Sequence, residues 1–325
     1  MTDAPGWRPD VLPGWQARDL VLRPDAYGEA VATLVRREGA GGAGAAPRGA
    51  ALYVHGFVDY FFHPHLGDLW SGLGRDLYAL DLRGYGRSIR EHRPPNLVAD
   101  IADHAEDIDA ALRAIHAEGH REVVLMGHST GGLIAALWAH ARAERPQGPG
   151  VSGLVLNSPW LDLNRGWFDR VVTTRAAAVL ATVAPDLVVG HLSPHYGRWL
   201  HDPAGGAAEY DQAWKPDDGF DVRARWLASV RRGHRAVARG LHVDVPVLVC
   251  TSDASGPADR WHDALGSTDS VLSVEQTERL APRLGPDVTL VQVPGGIHDL
   301  ALAPEPARTA YLDAVRDWVR ARLDA

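Results

Sequence analysis

Short apolar runs that stop at glycine recur along the chain and set its expected architecture. Ala50-Ala51-Leu52-Tyr53-Val54 runs into His55-Gly56-Phe57, and Leu77-Tyr78-Ala79-Leu80-Asp81-Leu82 into Arg83-Gly84. Val123-Val124-Leu125-Met126 runs into Gly127, similar runs occupy residues 153–157 and 245–250, and a last strand is expected over 288–293. Apolar runs of this length without alternation predict strands buried on both faces, as in a parallel sheet. Between them the period changes. Ile101, Ala105, Ile108, Leu112 and Ile115 predict a helix over residues 100–118, and Ala310, Tyr311, Ala314, Val315, Trp318 and Val319 predict another over 306–323. Ser273 is placed to cap a helix over 273–284. Residues 15–23 and 30–37 read as a hairpin around Pro24, Asp25 and Gly28, followed by a flexible Gly/Ala-rich loop from Gly39 to Gly49. The expected fold class is α/β, a mostly parallel central sheet with helices on both faces and its ligand loops at the carboxyl ends of the strands.

The segment between Asn157 and Val245 is far longer than a crossover requires and carries Trp160, Trp167, Trp199, Trp214 and Trp226. It reads as an inserted cap over the strand ends. The expected organisation is a core in two parts, 1–157 and 245–325, with a cap over 158–244. Composition narrows the function classes. A net charge of -8 with interspersed arginines and acids leaves no basic stripe for nucleic acid. No apolar stretch is long enough for an integral membrane segment, and the first residues show no basic region followed by an apolar run, so a cytoplasmic location is expected. Cys250, the single cysteine, excludes an internal disulfide and reads as inert core. Lys215, the single lysine among many arginines, reads as coding bias and not as function.

The chemistry concentrates in Gly127-His128-Ser129-Thr130-Gly131-Gly132, which follows a buried strand and opens a small-residue helix. Strand, sharp turn and helix around Gly-x-Ser-x-Gly is the context of a nucleophile elbow, with Ser129 the nucleophile. A serine hydroxyl needs a base and donors for the developing oxyanion. His298, in the glycine loop after the run 288–293, is the candidate base. The orienting carboxylate should lie between serine and histidine in chain order. Asp269 is preferred and Asp253 is the alternative, with Asp259 and Asp263 behind them. The backbone amides of Thr130 and Phe57 are the expected oxyanion donors, Gly56 lets that backbone come close, and His55 holds the loop by hydrogen bonds. Trp160 is a candidate substrate contact. Asp299, beside His298, could be a helix cap. His63, His65 and Asp68 have a metal-like spacing but no further ligand group, and Arg83-Gly84-Tyr85-Gly86-Arg87 lacks a phosphate-binding arrangement and reads as a turn. No cofactor and no metal are expected.

His55-Gly56-Phe57, residues 81–88, Gly127 to Gly131, Asp269 and His298, in this order, resemble the α/β-hydrolase superfamily. The chain is most similar to the serine-hydrolase branch containing monoacylglycerol lipases, lysophospholipases and the serine aminopeptidase domain. The resemblance implies an α/β-hydrolase fold over residues 30–322 and a cofactor-independent carboxylic-ester hydrolase. It also implies Ser129, His298 and Asp269 as a triad, with Phe57 and Thr130 as oxyanion donors. The branch usually places its acid a few residues after the strand. Here the loop with Trp261 and His262 intervenes, which keeps Asp253 in play. The expected partner is a small acyl substrate, apolar because the cap is rich in tryptophan. Alternatives are an acyltransferase, thioesterase, peptidase or biosynthetic cyclase using the same triad, or a binding protein without activity on the same scaffold.

Overall fold

An antiparallel meander leads into the core: β1 (Arg8–Pro9), β2 (Trp15–Asp25) and β3 (Gly28–Arg37), the last two closing the expected hairpin. The structure, a computed structural model, describes residues 6–40, 48–145, 150–163 and 181–324. Most of the Gly/Ala-rich loop and Trp167 lie outside the described residues. Next come β4 (Gly49–Val54), α1 (Pro64–Gly72), β5 (Arg75–Asp81), α2 (His104–Ala117), β6 (Val123–His128), α3 (Thr130–Glu144) and β7 (Gly153–Asn157). The long excursion contains a two-stranded ribbon, β8 (Val188–Gly190) with β9 (Val222–Arg223), and the helices α4 (Pro194–His201) and α5 (Ala224–Arg239). The chain ends with β10 (Val247–Ser252), α6 (Val274–Leu280), β11 (Val288–Val293) and α7 (Ala307–Arg322).

Nine strands form one sheet in the order β1-β2-β3-β5-β4-β6-β7-β10-β11, parallel from β5 to β11. The chain steps from β4 outward to β5 and then back across to β6, so the strand order reverses there. Loops leave that point in opposite directions and open a crevice at the carboxyl ends.

Alternate residues of each buried strand feed two apolar layers. Leu52 and Leu125 face Ile108 and Leu112 of α2, Leu133 of α3 and Trp226 of α5. Tyr53 and Val124 face Leu66 and Trp70 of α1 and Tyr311 and Val315 of α7. The last helix of the excursion, α5, therefore packs into a core layer, with Gly233 set against Leu137 and Ile101. Strand β10 starts two residues after the expected Val245, because Pro246 has no N–H to pair; its carbonyl accepts from Leu154 instead. Helix α1 lies where the sequence showed only a histidine pair.

The turn at 83–87 carries two buried guanidinium groups, which the sequence reading did not anticipate. Arg83 Nε donates to Asp107 Oδ1 at 2.7 Å, and Arg87 bridges Asp10 at 2.6 Å and Asp81 at 2.9 Å, pinning the amino-terminal arm to β5. No helix among the described residues is long and apolar enough to cross a membrane.

Candidate active site

Ser129 sits at the end of fully buried β6 with φ 52° and ψ -117°, in a conformation L-residues seldom adopt. The turn is held at both ends: Ser129 N donates to the Asn157 carbonyl at 3.0 Å, and its own carbonyl accepts from Gly132, Leu133 and Trp160. The flanking glycines are steric requirements. A Cβ on Gly127 would approach the Gly131 carbonyl oxygen to 2.6 Å, and one on Gly131 would run into the His55 carbonyl. Thr130 opens α3, so its amide belongs to the first turn, where N–H groups have no intrahelical acceptor.

The loop after β11 carries His298, whose Nδ1 is 3.0 Å from Asp269 Oδ2, both side chains buried. Asp269 reaches it because the long loop folds back. Gly256 N donates to the Asp269 carbonyl, Asp269 N donates to Ala254, and Ser255 and Asp269 form a parallel bridge beyond the end of β10. The other carboxylate oxygen of Asp269 accepts from the amides of Val271 and Leu272. Asp253 is exposed, and its Oδ1 accepts from Gly295 N at 2.9 Å. The structure therefore brings Asp269 to His298, while Asp253 braces the loop that carries His298.

His55 accepts from Leu82 N at Nε2, and its Nδ1–H donates to the Gly56 carbonyl. Gly56 brings this loop against Ser129, since a Cβ there would lie 3.1 Å from Ser129 Cβ. Beyond Phe57 the loop is strained: Val58, a β-branched residue, has φ 51°, a conformation that costs on the order of 1–3 kcal/mol. Its N–H donates to Asn96 Oδ1 at 2.8 Å, and Asp59 Oδ2 accepts from Gly56 N at 3.3 Å. Lys215 Nζ pairs with Asp59 Oδ1 at 2.9 Å, so the lone lysine, read from composition as bias, stands at the site. Burial alone would raise the Asp59 carboxyl, but Lys215 foremost and then the nearby imidazoles hold it below its ordinary range.

A second histidine–carboxylate group, which the sequence did not reveal, borders the same site. Asp299 caps a 3₁₀ turn through Ala301 N, and it also accepts from His63 Nε2 at 2.9 Å and Asn157 Nδ2 at 2.8 Å. Burial works against its charge, yet His128, His63 and the Asn157 amide outweigh that and hold it well below the carboxylate range. His128, next to Ser129, is pushed down to about 4 by burial. His63, His65 and Asp68 are not a metal set: His63 meets Asp299, His65 the Ala301 carbonyl, and Asp68 Arg37. The Cys250 thiol is fully buried and pushed up to about 12 by that burial.

These groups border one cavity. Ser129, Thr130, Phe57 and His298 line its floor, and Trp160, Trp226, Leu192, Leu200, Val222 and Leu272 give it apolar walls. Trp160 is almost fully buried and tied in at both ends, its N–H to Ser129 and its carbonyl to His234. The Phe57 ring stacks on Trp226 with centroids 4.3 Å apart, and Tyr196 of α4 presents its ring edge-on to His298 at 5.8 Å.

Comparison with known proteins places the chain. The profile of the family described as Serine aminopeptidase, S33, matches residues 45–305. The monoacylglycerol lipase of Mycolicibacterium smegmatis is 28% identical over 289 residues, covering 85% of this chain and 90% of its own length. Among solved structures, Paleococcus ferrophilus monoacylglycerol lipase superposes with a TM-score of 0.63 at 22% identity, covering 86% of this chain and 96% of its own. A soluble variant of Saccharomyces cerevisiae monoglyceride lipase, solved with a substrate analogue, gives 0.66 at 18% identity, covering 93% and 94%. At these identities the two structures speak to the fold, the α/β-hydrolase sheet.

Proposed function

The chain belongs to the serine aminopeptidase S33 family of α/β-hydrolases, and on that premise we propose that it cleaves carboxylic esters of apolar acyl groups through an acyl-serine intermediate. In this reading Ser129 Oγ attacks the acyl carbon while His298 takes its proton, and Asp269 holds the imidazole through Nδ1. The amides of Phe57 and Thr130 receive the oxyanion. His298 then protonates the departing alcohol and activates the water that releases the acid. The observation that carries the proposal is the buried Asp269–His298 pair, whose imidazole lines the same apolar cavity as the strained Ser129. The similarity to monoacylglycerol lipases makes a monoacylglycerol the substrate class to test first. We read residues 158–244 as the cap, whose described residues supply most of the apolar wall.

An aminopeptidase reading, suggested by the family's description, needs a carboxylate for a free amine. Among the described residues, the cavity's acids are engaged: Asp59 with Lys215, Asp299 with His63 and Asn157, and Asp217 with Tyr210 and Gln212. Ester hydrolysis is therefore preferred. Ser129→Ala should abolish turnover of p-nitrophenyl esters and monoacylglycerols, together with labelling by a fluorophosphonate probe. Labelling and turnover that survive in the alanine variant would falsify the mechanism.

A further inference from the structure

The loop carrying Phe57 is held from outside the core. Among the described residues its left-handed Val58 is fastened at the N–H by Asn96 Oδ1 and at the carbonyl by Lys215 Nζ, 3.3 Å away. The same ammonium pairs with Asp59, whose other oxygen accepts from Gly56 N, the amide one residue before Phe57. Lys215 comes from the excursion between β7 and β10, more than 150 positions from the loop in sequence: the Lys215–Asp59 separation is 156. The same excursion grips the loop a second time, where Asp211 N donates to Tyr60 Oη at 2.8 Å and Trp214 stands edge-on to the Tyr60 ring. The Lys215 side chain is mostly buried, with its ammonium over the rings of Phe62 and Tyr210. Shielding of this kind from water strengthens the attraction between the two charges.

We propose that Lys215 is a positioning residue: by holding the Val58 carbonyl and the Asp59 carboxylate, it keeps the strained loop in the conformation that aims the Phe57 N–H at the oxyanion. This rests on the ester-hydrolase reading above. The strain gives the loop a reason to relax once released, and rotation of the Phe57–Val58 segment withdraws the donor without touching Ser129, His298 or Asp269. Lys215 then acts on the rate of the chemical step and not on ground-state binding, because an oxyanion donor works only as negative charge develops.

Lys215→Met should lower kcat about 10- to 100-fold on p-nitrophenyl esters, below the roughly 10²–10³-fold loss typical of deleting a donor outright, with KM within about twofold. Lys215→Arg should restore kcat to within several-fold. The double variant Lys215→Met/Asp59→Asn leaves no buried carboxylate unpaired, so it covers the case in which the single variant does not fold, and the same loss of kcat at unchanged KM is expected. An unchanged kcat in Lys215→Met, or in the double variant where Lys215→Met does not fold, overturns the proposal. So does a loss confined to KM, which would make Lys215 a substrate contact. Survival of activity in Ser129→Ala removes the underlying reading; a dead Ser129→Ala beside a fully active Lys215→Met removes only the role of Lys215.

Discussion

At the scale of single residues, what could be read from the chain was what lies in one short stretch or at the end of one strand. Ser129 and His298 are legible because each follows a strand run and a glycine turn. Asp269 is preferred in the chain order but not separated there from Asp253, because nothing local says that the loop after β10 doubles back at Ser255 and carries Asp269 to His298. Lys215, Asn96 and Asp59 were illegible for the same reason: each finds its partner across a long gap in sequence, and Val58 carries no mark of its left-handed backbone. The two acids make a clean test. Asp269→Asn should lower kcat on p-nitrophenyl esters by roughly 10³–10⁴-fold, because an amide in place of the carboxylate no longer holds the His298 tautomer or stabilises the imidazolium. Asp253→Asn keeps an acceptor for Gly295 N and should leave kcat within a few-fold. If the two variants exchange these effects, the acid has been misassigned.

At the scale of elements, the apolar runs placed the strands well because a buried parallel strand is written as a continuous run. The deviations have local causes. Pro246 delays β10, and the nine-residue α1, which contains Gly67, is too short and irregular to show a helical period. The elbow is the element with the least tolerance. A methyl group on Gly131 would push into the carbonyls of Val54 and His55, at the end of β4 where the Phe57 loop begins. Gly131→Ala should therefore destabilise the protein by about 1–3 kcal/mol and depress kcat, since strand, helix and loop must separate to admit it. Gly150→Ala, exposed and with open space where its Cβ would stand, should change stability by no more than about 0.5 kcal/mol. Urea midpoints of the two variants, compared with the parent, check both expectations.

For the molecule as a whole, the sheet and its two helical layers were legible, and the return of the excursion through α5 was not. That helix is rich in arginine, yet its inward face meets Ile101, Leu133 and Leu137, and it brings His234 against Trp160 beside the elbow. His234 is buried, donates from Nε2 to the Trp160 carbonyl and accepts at Nδ1 from Arg231, so a proton on Nδ1 would face a guanidinium. Burial first and Arg231 second push it down to about 3; burial likewise holds His65 and His128 near 4. Each of these folded values lies below the unfolded value of about 6.5. Below that pH the unfolded chain takes up protons that the folded chain refuses, so stability falls as the solution is acidified from about pH 6.5 toward 3–4. The depressed carboxylates Asp59, Asp107 and Asp299 extend the loss below about pH 4, where the unfolded acids protonate first. A shift of this size makes His234 responsible for about 3 kcal/mol of the loss between pH 7 and 4. His234→Gln offers Trp160 a donor and Arg231 an acceptor without titrating. Urea midpoints at the two pH values should differ less in this variant than in the parent, by an amount equivalent to about 3 kcal/mol. An identical pH dependence in the two proteins would mean that His234 is not held neutral between α5 and the elbow.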